Sequence, residues 1–168
     1  RIPSGYLKSK IKNTEFSIIN GADATIICTE KRLEQIAGTN PKRLEIIHNT
    51  PMAVSRISHD FCELKKSSRC KIVYVGILAG SRFLREIIKF VEKDDRFEFH
   101  IGGFGIMENE ILQAAEKCER ILYYGKLPYE KTLALEQACD IMTAIYDPNV
   151  PNHKFAAPNK FYESLMLG

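Results

Sequence analysis

Lys160 and Glu163 stand three residues apart in Pro158-Asn159-Lys160-Phe161-Tyr162-Glu163, a stretch that reads as the start of a helix. At that spacing both side chains share one helix face. An ammonium beside the positive end of a helix dipole suits a diphosphate, and a carboxylate one turn on suits a pair of ribose hydroxyls. The same spacing also suits an ordinary exposed ion pair, and both readings stand at this point. Glycine makes the second group. Gly76, Gly80, Gly102, Gly103, Gly105 and Gly125, six of the ten in the chain, fall in loops expected to follow strands. The loops expected to follow helices, at Asp94-Asp95, Glu119 and Cys139, contain none. Glycine lets a backbone approach a ligand closely and leaves amides free for phosphate. Tight turns alone would spread it over both edges of a sheet, so the one-sided distribution points to a phosphate-containing ligand.

Several nucleotide chemistries are excluded. After the first strand of the regular region the chain reads Gly76-Ile77-Leu78-Ala79-Gly80-Ser81, which is not the dinucleotide fingerprint, and no acidic residue closes the next strand to hold a ribose. A G-x-x-x-x-G-K-[ST] loop is absent, and no strand ends in the Asp a phosphoacceptor needs. His48, His59, His100 and His153 form no ligand cluster, so no metal site is expected. His100 reads as a strand residue facing a helix layer, Asp94-Asp95 as a solvated turn at the wrong edge, and His153 as a loop residue on the ligand side. The five cysteines, Cys28, Cys62, Cys70, Cys118 and Cys139, are odd in number and widely spaced. Free thiols in a reducing, cytosolic setting fit that pattern.

The elements that must position these groups alternate. From Lys71 the pattern predicts a strand at 71–75 and a helix with Leu84, Ile87, Ile88 and Val91 at helical spacing. Next come a strand at 97–101, a helix marked by Met107, Ile111, Ala115 and Cys118, and a strand at 120–124. A helix over 129–138, a strand at 141–145 and a final helix with Pro158 at its first position complete the order. This is the signature of an α/β, Rossmann-like parallel sheet with helices on both faces. The long loop from Tyr146 to Ala157 lies at the same edge as the glycines, where ligands bind in such sheets.

Upstream the pattern is partial. Residues 15–51 read as helix, strand, helix, strand, with a strand at 24–28, Thr29 capping a helix over 30–37, Gly38 ending it, and a strand at 44–47. Two strands and two helices cannot close a core alone. Residues 1–51 therefore read as the end of another α/β domain, residues 52–70 as a connection with room for one short helix, and residues 71–168 as a second domain cut short at its C-terminus.

Residues 1–70 hold 12 Lys/Arg against 7 Asp/Glu, and residues 71–168 hold 12 against 14. The basic N-terminal stretch suits anionic lipid, a partner domain or plain solvent. A dense basic stripe is missing, which argues against nucleic acid. The first residue is Arg1 rather than Met, and the chain shows neither a signal-peptide pattern nor an apolar run near membrane-spanning length.

One resemblance gathers these pieces. Val75-Gly76-Ile77-Leu78, Arg82, Gly102-Gly103, Tyr124-Gly125-Lys126-Leu127-Pro128, Ala138-Cys139-Asp140-Ile141 and the run from Pro158 to Gly168 resemble, in order, family 4 of the retaining glycosyltransferases. Ala22-Asp23-Ala24 and Ile46-Ile47-His48-Asn49-Thr50-Pro51 resemble the end of that family's N-terminal domain. The resemblance implies the GT-B fold, with its C-terminal Rossmann-like domain binding a nucleotide-sugar donor. It implies that Arg82 neutralises the donor diphosphate, that Glu163 contacts the ribose as the second glutamate of the E-x(7)-E motif, and that Gly125-Lys126-Leu127 lies against the base. Lys160 takes the lysine of the P-x-K variant, and Gly76, Gly102 and Gly103 line the donor edge. The sequence departs from the pattern at Ile77, where many members carry arginine, and at Phe155, where the first glutamate would stand.

The activity implied by the resemblance is sugar transfer from a UDP-, GDP- or similar nucleotide sugar to a glycan or lipid-linked acceptor, in surface polysaccharide or lipopolysaccharide assembly. No cofactor beyond that donor is implied, and catalytic groups are expected in an N-terminal domain that residues 1–51 only end. The expected location is cytoplasmic, with room for peripheral association at the inner face of a membrane. A nucleotide-sugar 2-epimerase of the same architecture and a non-catalytic nucleotide-binding domain remain open.

Overall fold

The computed structural model describes residues 5–51, 57–58 and 60–168. Residues 52–56 and 59, which include His59 and part of the expected connection, lie outside the described residues. Two compact units separate. One holds the residues up to Asn49 together with Phe155–Ala157, and the other holds Thr50–Lys154 and Pro158–Gly168.

The first unit contains helix α1 (Gly5–Gly21) and two short parallel strands, β1 (Thr25–Ile27) and β2 (Leu44–Ile46), with Thr25 opposite Leu44. The helix expected over 30–37 is instead a 3-10 turn, Glu30–Glu34, followed by further turns. Thr29 does cap it, accepting a hydrogen bond from the Lys31 amide. The turn stays short because only Leu33 and Ile36 in 30–37 offer bulk to an apolar face, and Leu33 is exposed. Ile27 is the unit's one buried residue among those described.

The second unit is an alternating α/β layer structure. In chain order it comprises β3 (Cys70–Ile77), α2 (Leu84–Lys93), β4 (Phe97–Phe104), α3 (Glu108–Lys117), β5 (Ile121–Tyr123), α4 (Tyr129–Gln137), β6 (Ile141–Met142) and α5 (Asn159–Leu167). A 3-10 turn, Cys62–Lys66, precedes β3. All four strands are parallel, in the order β5-β4-β3-β6. Pairing runs from Cys70 opposite Phe97 to Ile77 opposite Phe104, whereas β6 meets β3 only at Ile141 and Met142.

Side chains alternate across the strands, so each strand serves two layers. Ile72, Tyr74, Phe99, Ile101 and Ile121 form one core with Leu84, Ile88 and Val91 of α2 and Ile111 and Ala114 of α3. On the other face Lys71, Val73 and His100 are buried, and α4 packs on β3 with Leu133, Ala134 and Leu135 inside. Burying each large apolar side chain contributes about 1.5–3 kcal/mol before the entropy of ordering is set against it.

Three local expectations are corrected. Gly76, Gly102 and Gly103 are strand residues rather than loop residues, because β3 and β4 each continue to residues 77 and 104. Pro158 caps α5 from outside instead of opening its first turn, with extended backbone (φ −71°, ψ 136°). The strand expected at 141–145 keeps only its first two residues. No described helix is long and apolar enough to cross a membrane.

Candidate functional site at the carboxyl edge

β3 is followed by β4 on one side and receives β6 on the other, so the strand order reverses between β3 and β6. In open parallel sheets ligands bind beyond the carboxyl ends of the strands at such a point. Here the β3 loop carries Arg82, the β6 loop carries Tyr146, Asp147 and His153, and α5 carries Lys160 and Glu163. The two loops are tied directly, with the Asp147 amide donating to the Ser81 carbonyl at 3.0 Å.

Arg82 is fixed from three directions. Its guanidinium carbon lies 4.0 Å from the centroid of the Tyr146 ring, and Nη1 lies 3.4 Å from His153 Nε2. His153 Nδ1 is 2.9 Å from the Asp147 carbonyl oxygen. A carbonyl can only accept, so Nδ1 carries the proton and the bare Nε2 faces the guanidinium. The third partner is Tyr74, whose hydroxyl donates to the Ile77 carbonyl at 2.7 Å and keeps its lone pairs for Arg82. Burial pushes the Tyr74 hydroxyl up to about 12, with Arg82 acting the other way. Phe83, directly after Arg82, adopts a left-handed conformation (φ 57°, ψ 30°) that ends the Gly80–Arg82 turn before α2 begins. For a bulky residue this costs on the order of 1–2 kcal/mol.

Lys160 approaches the same tyrosine. Its ammonium sits 4.7 Å from the Tyr74 ring centroid. A Cβ on Gly76 would come within 2.8 Å of Lys160 Nζ, so glycine at this position makes room for the charge. Burial holds the Lys160 ammonium below its usual range, Glu136 and Glu163 oppose that, and Arg82 adds to it. Two cations thus converge on Tyr74. Such an arrangement is unfavourable by itself and favourable once an anion lies between them.

Glu163 is 5% exposed, which removes the exposed Lys–Glu ion pair as an account of this helix. It accepts a hydrogen bond from Tyr129, whose hydroxyl is pushed up to about 12 by burial first and by Glu163 second. The carboxylate therefore faces inward.

The other expected residues form a neighbouring cluster on β4 and β5. A Cβ on Gly103 would fall on the Gly76 carbonyl, so the two strands meet there only because residue 103 is glycine. The Gly103 amide donates to the Gly125 carbonyl at 2.7 Å. Gly102 leaves space for Val75 and Leu127, and Lys126 Nζ lies 5.2 Å from the Phe104 ring centroid. Strand closeness and packing explain these glycines first. Gly76, Arg82, Lys160 and Glu163 are the members of the expected set that the structure brings together around shared partners.

Sequence reasoning missed Tyr74, Tyr146, Tyr129 and Glu136. Glu136 left the clearest trace, since Tyr129, Leu133 and Glu136 fall at i, i+4 and i+7, which places an acid on the apolar stripe of α4. His100, expected to face a helix layer, is buried with Nδ1 2.8 Å from the Tyr124 hydroxyl and Nε2 3.3 Å from Glu98. Among the described residues, no group of three or more His, Cys, Asp or Glu is placed to hold a metal ion.

No protein-family model matches the chain, and no curated protein matches its sequence. Solved structures do match its fold. A crystal structure of TarM superimposes with a TM-score of 0.52 at 19% identity, over 74% of this chain and 26% of that one. A variant of S. aureus TarM in complex with Fondaparinux, alpha-GlcNAc-glycerol and UDP gives a TM-score of 0.57 at 17% identity, over 79% of this chain and 27% of that one. The chain thus spans about a quarter of the length of these structures. Its fold, a parallel sheet flanked by helices, is that of these GT-B glycosyltransferases.

Proposed function

We propose that the carboxyl-edge site binds the diphosphate of a nucleotide sugar, and that the chain is the donor-binding part of a glycosyltransferase. The observation that carries this reading is the convergence of Arg82 and Lys160 on Tyr74 beside a glycine-cleared strand end. Cleaving a sugar–diphosphate bond builds negative charge on the leaving phosphates, and fixed cations stabilise it without rearranging. The UDP in the TarM complex supports the same class of ligand. The acceptor we infer is a glycan or lipid-linked sugar, in surface polysaccharide or lipopolysaccharide assembly at the cytoplasmic face of a membrane. The retaining outcome and membership of family 4 belong to this proposal and rest on the motifs. Residues 1–168 alone are expected to bind donor weakly and to transfer nothing.

Calorimetric titration with UDP, GDP and ADP tests the reading. Arg82→Ala and Glu163→Ala should each weaken binding of the preferred diphosphate by about 1–3 kcal/mol. Unchanged affinity in both variants discards the site. A second reading, a non-catalytic nucleotide-binding domain, gains from the inward-facing Glu163. Under it Arg82→Ala weakens binding, Glu163→Ala does not, and the full-length protein releases no sugar from any donor.

A further inference from the structure

Glu136 is 4% exposed, and neither carboxyl oxygen has a hydrogen-bond partner among the described residues, although both are shielded from solvent. It sits on α4, which packs against α5, and its charge is felt by Lys160 on that helix and by Tyr129 and Cys139 on its own side. Glu163 faces it from α5. Arg82 acts on Lys160 from the β3 loop. A bare carboxylate without water or donor is disfavoured beside a second carboxylate. Burial first and the Glu163 charge second raise the Glu136 carboxyl to about 8, while Lys160 pulls the other way. At neutral pH the group is therefore a neutral acid, and the cluster holds one ammonium and one carboxylate.

We propose that Glu136 is a positioning residue for the Lys160–Glu163 pair: as a neutral acid it leaves the ammonium free for an anionic ligand, and when it ionises it draws that ammonium inward. The proposal rests on the nucleoside-diphosphate reading of the site. Ionisation releases one proton to solvent and breaks no other bond. The cluster then carries two carboxylates against one ammonium, and the field seen by an incoming diphosphate falls. By linkage, a bound diphosphate should raise the Glu136 pKa and draw in a proton at alkaline pH.

The test has two arms, on the whole chain. In the first, infrared difference spectra of ligand-free protein at neutral pH should show the carbonyl stretch of a protonated buried carboxylic acid in the parent chain and not in Glu136→Gln. In the second, UDP affinity is measured at about pH 6 and about pH 9.5, on either side of the transition. The parent chain should lose roughly tenfold more affinity than Glu136→Gln between the two pH values, since the variant is neutral at this position and carries only the loss that comes from the Lys160 ammonium and from the nucleotide's own ionisation. The same smaller loss in Glu136→Leu shows that neutrality, rather than an amide hydrogen bond, is what matters. A missing carbonyl band, or the same pH dependence in the parent chain and Glu136→Gln, overturns the proposal alone. Failure of both proteins to bind UDP, GDP or ADP at either pH overturns the nucleotide reading and the proposal together.

Discussion

Lys71 and Lys160 both draw an ammonium away from water, at opposite ends of β3. Lys71, at the amino end, is 4% exposed and spends its protons on Asp140 Oδ2 at 3.1 Å, the Arg69 carbonyl at 2.9 Å and the Ser67 carbonyl at 3.4 Å. Asp140 also accepts from the Lys71 amide at 2.7 Å, which holds its carboxyl below the usual range. Lys160, at the carboxyl end, lies against the face of Tyr74 and beside a glycine, with Arg82 on that tyrosine's hydroxyl and the charges of Glu136 and Glu163 within reach. One lysine closes a network, and the other shares its tyrosine with a second cation. On the proposed reading, a buried charge with every proton placed is architecture, and a buried charge beside a second cation is a site for a counter-ion.

Three substitutions can break or sharpen this contrast. Lys71→Met should cost about 3 kcal/mol of folding stability, because it strips the strand of its ion pair and leaves two carbonyls without a donor. Nucleotide affinity should not change. Asp140 is half exposed and can rehydrate, which keeps the loss at the lower end for a broken pair. Denaturant unfolding and titration of the same variant read both quantities.

Next in size is Glu136. Its pKa is raised from an ordinary 4.5 to about 8 on folding, so the folded chain holds the proton more tightly than the unfolded chain. The stability this gives is complete below about pH 4.5 and is lost as pH rises towards about 8. Between about pH 6 and about pH 8 the parent chain should lose on the order of 2 kcal/mol relative to Glu136→Gln, measured by denaturant midpoints. A parallel pH dependence in the two proteins contradicts a neutral Glu136.

The smallest effect is expected for Lys160→Met. Affinity for UDP should fall about tenfold, which is ~1.4 kcal/mol, while the stability lost should be smaller than in Lys71→Met, because the Glu163 left behind keeps its hydrogen bond from Tyr129. If Lys160→Met instead unfolds the chain as readily as Lys71→Met and leaves affinity intact, the two lysines do the same job and the contrast fails.

The sequence made some of this legible for identifiable reasons. Helices α2 and α3 and strands β3 to β5 follow from local periodicity, and local periodicity needs no knowledge of neighbours. The Glu30–Glu34 turn was harder, because helical propensity without an apolar face yields to the small unit around it. The end of β6 depends on how much of β3 remains to pair with, which is a long-range matter. The glycines stand out for a reason the structure revises: Gly103 is required by the approach of two strands, while Gly76 leaves room for the movable end of Lys160. Arg82 and Lys160 were found one by one through motifs. Their meeting on Tyr74 was hidden, since residues 74, 82, 146 and 160 are brought together only by the reversal of strand order.

That reversal also divides the site by firmness. β3 is held on both sides, with eight paired positions towards β4, while β6 grips it at two. Backbone openings that cost little start where pairing is short. Arg82 thus follows the more fully paired strand by one short turn, whereas Tyr146 and His153 follow the strand with the shorter grip. On the proposed donor-binding reading, the cation is the firmer half of the site and its aromatic neighbours the looser half.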